Sequence, residues 1–100
     1  MNKFFSDAEL KSILNWYKYE CADEIEWTRF GYKQAWFSQL LDFDNLRLFK
    51  SYNTIVALVD ISEGVFYELG KWSTTTSKQV TQFYNAYYRN FKRVLKHVND

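Results

Sequence analysis

The stretch "TIVALVDISEGVFYEL", residues 54–69, decides the fold. Its first half, TIVALVDI (54–61), is β-branched and apolar at successive positions, which is typical of a strand buried on both faces. SEG (62–64) supplies a glycine for a hairpin turn, and VFYEL (65–69) predicts the returning strand. LRLFKS (46–51) predicts another strand before them. The economical arrangement is an antiparallel meander of three to four strands.

Helices are predicted on both sides of this meander in the chain. Residues 6–22 begin with a capping box, Ser6 to Glu9, and continue with an apolar stripe at steps of three and four: Leu10, Ile13, Leu14, Tyr17 and Cys21. Residues 76–98 carry a longer stripe: Val80, Phe83, Tyr84, Tyr87, Phe91, Val94, Leu95 and Val98. The sequence therefore predicts an α+β fold, a small antiparallel sheet flanked on one face by an N-terminal helix and a long C-terminal helix.

The composition bounds the class of protein. The chain has 100 residues, which predicts a single domain over residues 1–100. With 13 basic and 12 acidic residues, the overall charge does not imply a polyanionic partner. The aromatic fraction is 21%, which indicates a core built from large rings and a surplus of rings for an interface.

Several kinds of chemistry are excluded by what the sequence lacks. A single cysteine rules out an internal disulfide and a cysteine-rich zinc site. His97 is the only histidine and lies near the end of a helical pattern, so no catalytic constellation is evident, and we expect no enzyme, cofactor or metal. Cys21 falls on the apolar stripe, which favours a buried residue over a reactive thiol. Without a signal peptide or a membrane-length apolar run, a cytoplasmic protein without membrane contact is expected.

The segment "GKWSTTTSKQ", residues 70–79, combines a Gly-Lys pair with hydroxyl residues. A P-loop would need a glycine at position 65 and a hydroxyl residue at position 72, but Val65 and Trp72 stand there. The segment is better explained as a helix start, capped by Ser73, Thr75 or Thr76. Free N–H groups at such a start also form a generic anion site.

Charged residues are predicted to form two opposite surfaces. The acidic one comprises Glu20, Asp23, Glu24 and Glu26, joined by Asp42 and Asp44, with Trp16 and Trp27 as aromatic anchors for a protein partner. The basic one comprises Lys78, Arg89, Lys92, Arg93 and Lys96. The last four share one face at helical spacing, where they either suit the helix dipole or meet phosphates. Such a bipolar domain is also compatible with a homodimer.

Two segments, "SYNTIVALVD" (51–60) and "GVFYELGKWSTTTSKQVTQFY" (64–84), resemble short, largely uncharacterised phage and prophage proteins of Gram-positive bacteria. The matching residues are Ser51-Tyr52, Thr54, Val56-Ala57 and Ser73 to Lys78 leading into Phe83. The resemblance implies a viral origin, and small phage proteins of this kind often disable host machinery, as anti-CRISPR proteins do.

The expected function is therefore that of a non-enzymatic inhibitor. Its partner would be a host protein, plausibly a Cas9-type nuclease with its guide RNA. The alternative is a nucleic-acid-binding accessory protein that uses the basic residues.

Overall fold

The computed structural model describes residues 3–31, 33–41 and 45–98. Helix α1 (Asp7–Trp16) is followed by a π-helical turn (Tyr17–Cys21) and a 3-10 turn (Ala22–Glu24). The remaining elements are β1 (Trp27–Arg29), β2 (Ala35–Ser38), β3 (Leu46–Ser51), β4 (Thr54–Asp60), β5 (Val65–Glu68), α2 (Thr74–Tyr87) and β6 (Lys92–Leu95). None of the helices in these ranges is long and apolar enough to cross a membrane.

The strands form one sheet in sequence order, β1 to β6. All neighbours are antiparallel except β5 and β6, which pair in parallel. A tight turn at Tyr52 and Asn53 joins β3 to β4, and Tyr52 takes a φ of 57°. Gly64 in the next loop has a φ of 69°, which confirms the use of this glycine in the hairpin turn.

The predicted number of strands is wrong: the sheet has six strands and is mixed, although the fold is still a small α+β domain. Two of the strands that were not predicted from the sequence, β1 and β2, are short. β1 has three residues and β2 has four, with no run of β-branched residues to mark them. β2 takes its place in the sheet by pairing with β3, where Phe37 lies opposite Phe49, and β1 pairs with β2.

The long C-terminal helix is also wrong, because α2 ends at Tyr87. Tyr88 leaves helical geometry with a φ of −131° and a ψ of 20°, and the chain turns towards the sheet. The Tyr84 hydroxyl braces this turn, since it lies 3.1 Å from the carbonyl oxygen of Arg89 and 2.7 Å from that of Phe91. The apolar stripe continues beyond this point, but in a strand.

The cause of the turn is the free edge of β5. Val65, Phe66 and Tyr67 are fully buried on alternating faces, so an unpaired edge here would leave polar backbone groups unsatisfied inside the protein. β6 satisfies them: the Lys92 N–H donates to the carbonyl of Gly64 at 2.9 Å, and the Lys96 N–H donates to that of Glu68 at 2.7 Å. The hydrogen bonds that β6 forms with this edge therefore stabilise the fold more than a longer α2 would.

The helices cover opposite faces of the sheet, not one face as predicted. On the α1 side, Leu10 packs in one core cluster with Leu48, Leu58 and Tyr67. On the α2 side, Val80 and Phe83 belong to a second cluster, whose sheet residues include Phe49, Val59 and Phe66. Leu58 and Val59, which are adjacent in β4, thus point into different cores, and β4 is apolar without alternation because it supplies both cores.

The predicted start of the first helix at Ser6 is confirmed, whereas α2 begins at Thr74, two residues before the predicted residue 76, with Ser73 as its cap. The Ser6 hydroxyl accepts from the Glu9 N–H and the Glu9 carboxylate accepts from the Ser6 N–H, which completes the capping box. Ser73 caps α2 by accepting from the Thr76 N–H at 3.3 Å. The aromatic surplus mainly fills the α2-side core, where Phe83 stacks on Phe49 with ring centroids 4.3 Å apart.

Hydrogen exchange distinguishes strand β6 from a continued helix. We expect slow exchange at the amides of Lys92 and Lys96, which face β5, and fast exchange at Arg93 and Leu95, whose N–H groups face outward from an edge strand. Native-state exchange followed by NMR measures this. Comparable protection at all four amides, as in a helix, would contradict the parallel pairing.

Candidate functional site

The acidic segment, defined as Glu20, Asp23, Glu24 and Glu26, lies on the connection between α1 and β1. Glu20 is in the π-helical turn, Asp23 and Glu24 are in the 3-10 turn, and Glu26 immediately precedes β1. All four side chains are exposed. Across the described ranges, none of them forms an ion pair. Asp42 and Asp44, predicted to join this surface, lie outside the described residues.

Cys21 shows the effect of these charges. Its thiol packs against the α1-side core and donates to the Tyr17 carbonyl at 3.7 Å. Burial raises the pKa of the thiol, and the nearby carboxylates of Glu24 and Glu20 raise this pKa further because they oppose a thiolate. A raised pKa keeps the sulfur protonated at neutral pH, as expected for a structural cysteine and not for a nucleophile.

The predicted aromatic anchors, Trp16 and Trp27, are both half-buried. Both pack against the α1-side core, and Trp27 meets Tyr17 edge-on with centroids 6.1 Å apart. Only part of each indole is therefore available to a partner. The sequence reasoning missed Tyr19, which is 74% exposed beside Glu20 and is the most exposed of the large apolar side chains in the described ranges. Its place off the apolar stripe of the first helix was the available signal.

A second cluster, the indole face, was not predicted. It comprises Trp27, Arg29, Trp36 and Lys50, which register places on one side of β1, β2 and β3. The Lys50 ammonium lies 4.2 Å from the Trp27 ring centroid and 5.3 Å from that of Trp36, and the Arg29 guanidinium lies 6.0 Å from Trp36. Burial between the rings lowers the pKa of Lys50. Trp36 is half-buried and packs with neither core cluster.

The five predicted basic residues do not form one helical face, because α2 ends before four of them. Arg93 lies in β6, where its guanidinium donates to Glu68 and to the Thr81 hydroxyl, both at 3.1 Å. The Lys96 ammonium pairs with Asp7 of α1 at 3.3 Å. Arg89 is in the turn and Lys92 begins β6, both exposed. The predicted basic surface is therefore not continuous. Arg93 and Lys96 are neutralised by ion pairs, and Lys92 and Arg93, as successive residues of a strand, point to opposite faces.

Lys78, the fifth of these residues, lies instead at the start of α2 between two clefts. Thr74, Lys78 and Gln82 are spaced by one helical turn and form a ridge shared by both clefts. The cleft on the β1–β2 side, here called the α2 cleft, has a volume of about 310 Å³ and is completed by Phe30, Gly31, Lys33, Thr75 and Gln79. The other cleft is lined by Trp72, Ser77 and Thr81.

Comparison with known proteins identifies the family. A model described as a family of unknown function, DUF8033, matches residues 9–98. The chain belongs to DUF8033. The DUF8033 match runs from α1 to the residues after β6, so it includes the whole sheet. No curated protein and no solved structure matches the chain. Membership in DUF8033 therefore assigns neither an activity nor a partner.

The alkylation rate of Cys21 depends on the negative charges of Glu20 and Glu24 in the acidic segment. Because Glu20 and Glu24 oppose the thiolate, replacing both by Gln lowers the thiol pKa, and alkylation becomes faster at a given alkaline pH. The pH dependence of the iodoacetamide reaction, followed by mass spectrometry, measures this shift. Glu26→Gln is the matched control and leaves the profile unchanged, since Glu26 is not among the charges that act on Cys21. Identical profiles for all variants would refute the electrostatic account.

Proposed function

We propose that this chain is a phage-encoded, non-enzymatic inhibitor that binds a host defence effector through its acidic segment. The observation that carries the proposal is the display of four exposed carboxylates without an ion pair in the described ranges. Glu20 and Glu24 both raise the pKa of the Cys21 thiol, so their negative charges lie near one another and repel each other. A basic partner would remove this repulsion on binding.

The chemistry of the acidic segment favours a partner rich in arginine and lysine. The channel of a Cas9-type nuclease, which holds the guide heteroduplex and reads the PAM with arginines, presents such a surface. The sequence resemblance to short phage proteins supports this class of effector. Tyr19 would supply apolar contact area next to the carboxylates, as exposed aromatic residues do at interfaces.

The direct test mixes the purified protein with guide-loaded Cas9 and measures both complex formation and cleavage of target DNA. The triple variant Glu20→Gln, Asp23→Asn, Glu24→Gln should bind at least about tenfold more weakly and protect the DNA less, because each lost charge contact removes favourable interaction with the channel. All three positions are exposed, so the variant retains the fold.

The matched control changes the net charge by the same amount, but at exposed positions outside the acidic segment. Its substitutions are Ser12→Lys, Asn85→Lys and Asn90→Lys. This control should inhibit like the wild type. Equal weakening by both triple variants would mean that net charge acts and not the acidic segment. A wild-type protein that neither binds the loaded nuclease nor protects its target would refute this effector class.

The indole face favours a second candidate function, binding of single-stranded nucleic acid. Two half-exposed indoles with Lys50 and Arg29 beside them resemble the combination of stacking rings and cations that single-strand binders use. Fluorescence anisotropy with a labelled oligonucleotide tests this function. Trp36→Ala should weaken binding about fivefold or more, and salt should weaken it for both proteins. An absence of binding even at low salt would eliminate this candidate.

A further inference from the structure

Gln79 lines the α2 cleft, and its buried amide nitrogen is a hydrogen-bond donor without a partner among the residues that the structure describes. Gln79 is only 5% exposed, and the Ser51 hydroxyl donates to its Oε1 at 2.6 Å, which leaves the amide nitrogen facing away from Ser51. Within the described part of the chain, Nε2 of Gln79 forms no hydrogen bond. Native proteins rarely bury a donor in this way, and one explanation for such a donor is a water, an ion or another acceptor that binds beside it.

The same cleft lies at the N-terminus of α2, a helix of 14 residues. The Ser73 hydroxyl satisfies the Thr76 N–H, and the regular helical bonds begin with the Ser77 N–H donating to Ser73. The N–H groups of Thr74 and Thr75 precede these bonds and have no intrahelical acceptor. Both residues line the cleft, so the positive end of the helix dipole lies at its border.

The charges around the α2 cleft have one sign. Lys33 approaches from the β1–β2 turn and Lys78 from the second turn of α2, and no acidic side chain is among the described residues that line the cleft. Gly31 makes this approach possible, because its φ of 70° turns the chain between Phe30 and Lys33. Lysines, amide N–H groups and an unpaired carboxamide are all donors, so the complementary ligand is an anion rich in acceptors.

We propose that the α2 cleft binds a small molecule that carries a phosphate group. A phosphate monoester has nearly two negative charges and three acceptor oxygens, which match two lysines and three or more N–H donors. A carboxylate has one charge and two oxygens, and would leave more of these donors unmatched. The volume of about 310 Å³ exceeds that of a phosphate alone, and the Phe30 ring supplies an apolar wall for the remainder of the molecule.

This site is separate from the acidic segment. The acidic segment follows α1, whereas the α2 cleft is built on the helix that covers the other face of the sheet. It also differs from a P-loop, because Val65 and Trp72 occupy positions that this motif reserves for glycine and a hydroxyl residue. We therefore expect the α2 cleft to bind its ligand without hydrolysing it. A bound ligand would hold the β1–β2 turn against α2.

NMR titration of the ¹⁵N-labelled protein tests the proposal. The probes are inorganic phosphate, a ribonucleoside monophosphate, a hexose phosphate and, for comparison, acetate, all at constant ionic strength. Phosphate-bearing probes should shift the side-chain NH₂ of Gln79 and the backbone amides of Thr74 and Thr75. Lys33→Gln and Lys78→Gln should each weaken binding about tenfold, as expected for loss of a charge-assisted hydrogen bond.

Lys11→Gln is the matched control, since Lys11 is an exposed lysine of α1 outside the α2 cleft. It should bind the probes like the wild type. Gln79→Leu removes the donor itself, and retention of the wild-type amide spectrum elsewhere verifies its fold. The proposal is overturned if saturating phosphate probes leave Gln79, Thr74 and Thr75 unshifted, if acetate binds as tightly, or if the Lys33 and Lys78 variants behave like Lys11→Gln. Tighter binding of the nucleotide than of the hexose phosphate would support the proposal and indicate that the Phe30 ring contacts the base.

Discussion

Leu58 and Val59 are neighbours in β4, yet their side chains enter different cores and both are fully buried. A strand in this position needs a cover on each face and a partner on each edge, because its backbone and both rows of side chains are removed from water. α1 and α2 provide the two covers. β3 and β5 provide the partners, and β5 in turn requires β6. The arrangement of the whole chain follows from the burial of this central strand.

The Ser51 hydroxyl connects the sheet to α2 at the end of β3. It donates to Gln79 at 2.6 Å and lies 3.2 Å from the Thr76 hydroxyl, all within the buried region. A buried hydrogen bond of this kind contributes about 0.5–1.5 kcal/mol when it is formed and costs more when only one partner remains. The contact also joins residues 51–60 to residues 73–78, which are the two halves of the motif that resembles phage proteins.

Local features of the fold were predictable from the sequence. The capping box at Ser6 and Glu9, the central strand and the glycine turn each depend on residues a few positions apart. The C-terminal region was not predictable in this way. Phe91, Val94 and Val98 fit a helical stripe, but in the structure Phe91 enters the α2-side core while the two valines enter the α1-side core. The need of β5 for a partner decided between helix and strand, and this need is not local.

The same error explains what was missed in the candidate sites. Lys92, Arg93 and Lys96 share a face only if they are helical, but Lys92 and Arg93 are successive residues of β6, whose side chains point to opposite faces, and Lys96 follows the strand. The acidic segment was found because its four acids are close in sequence. The α2 cleft combines residues of the β1–β2 turn with residues of α2, and its unpaired donor at Gln79 depends on a bond to Ser51. No pattern along the chain contains that information.

The parallel pairing of β5 with β6 has a consequence for synthesis of the protein. No more than seven residues separate consecutive strands from β1 to β5, so each antiparallel pair can close soon after it leaves the ribosome. β5 acquires its second neighbour only after α2 and the residues up to Leu95 have emerged. Until then an apolar strand has a free edge that another nascent chain can pair with. A ribosome that stops before the codons for Lys92 to Leu95 would therefore release a chain with most of its core but with an aggregation-prone edge.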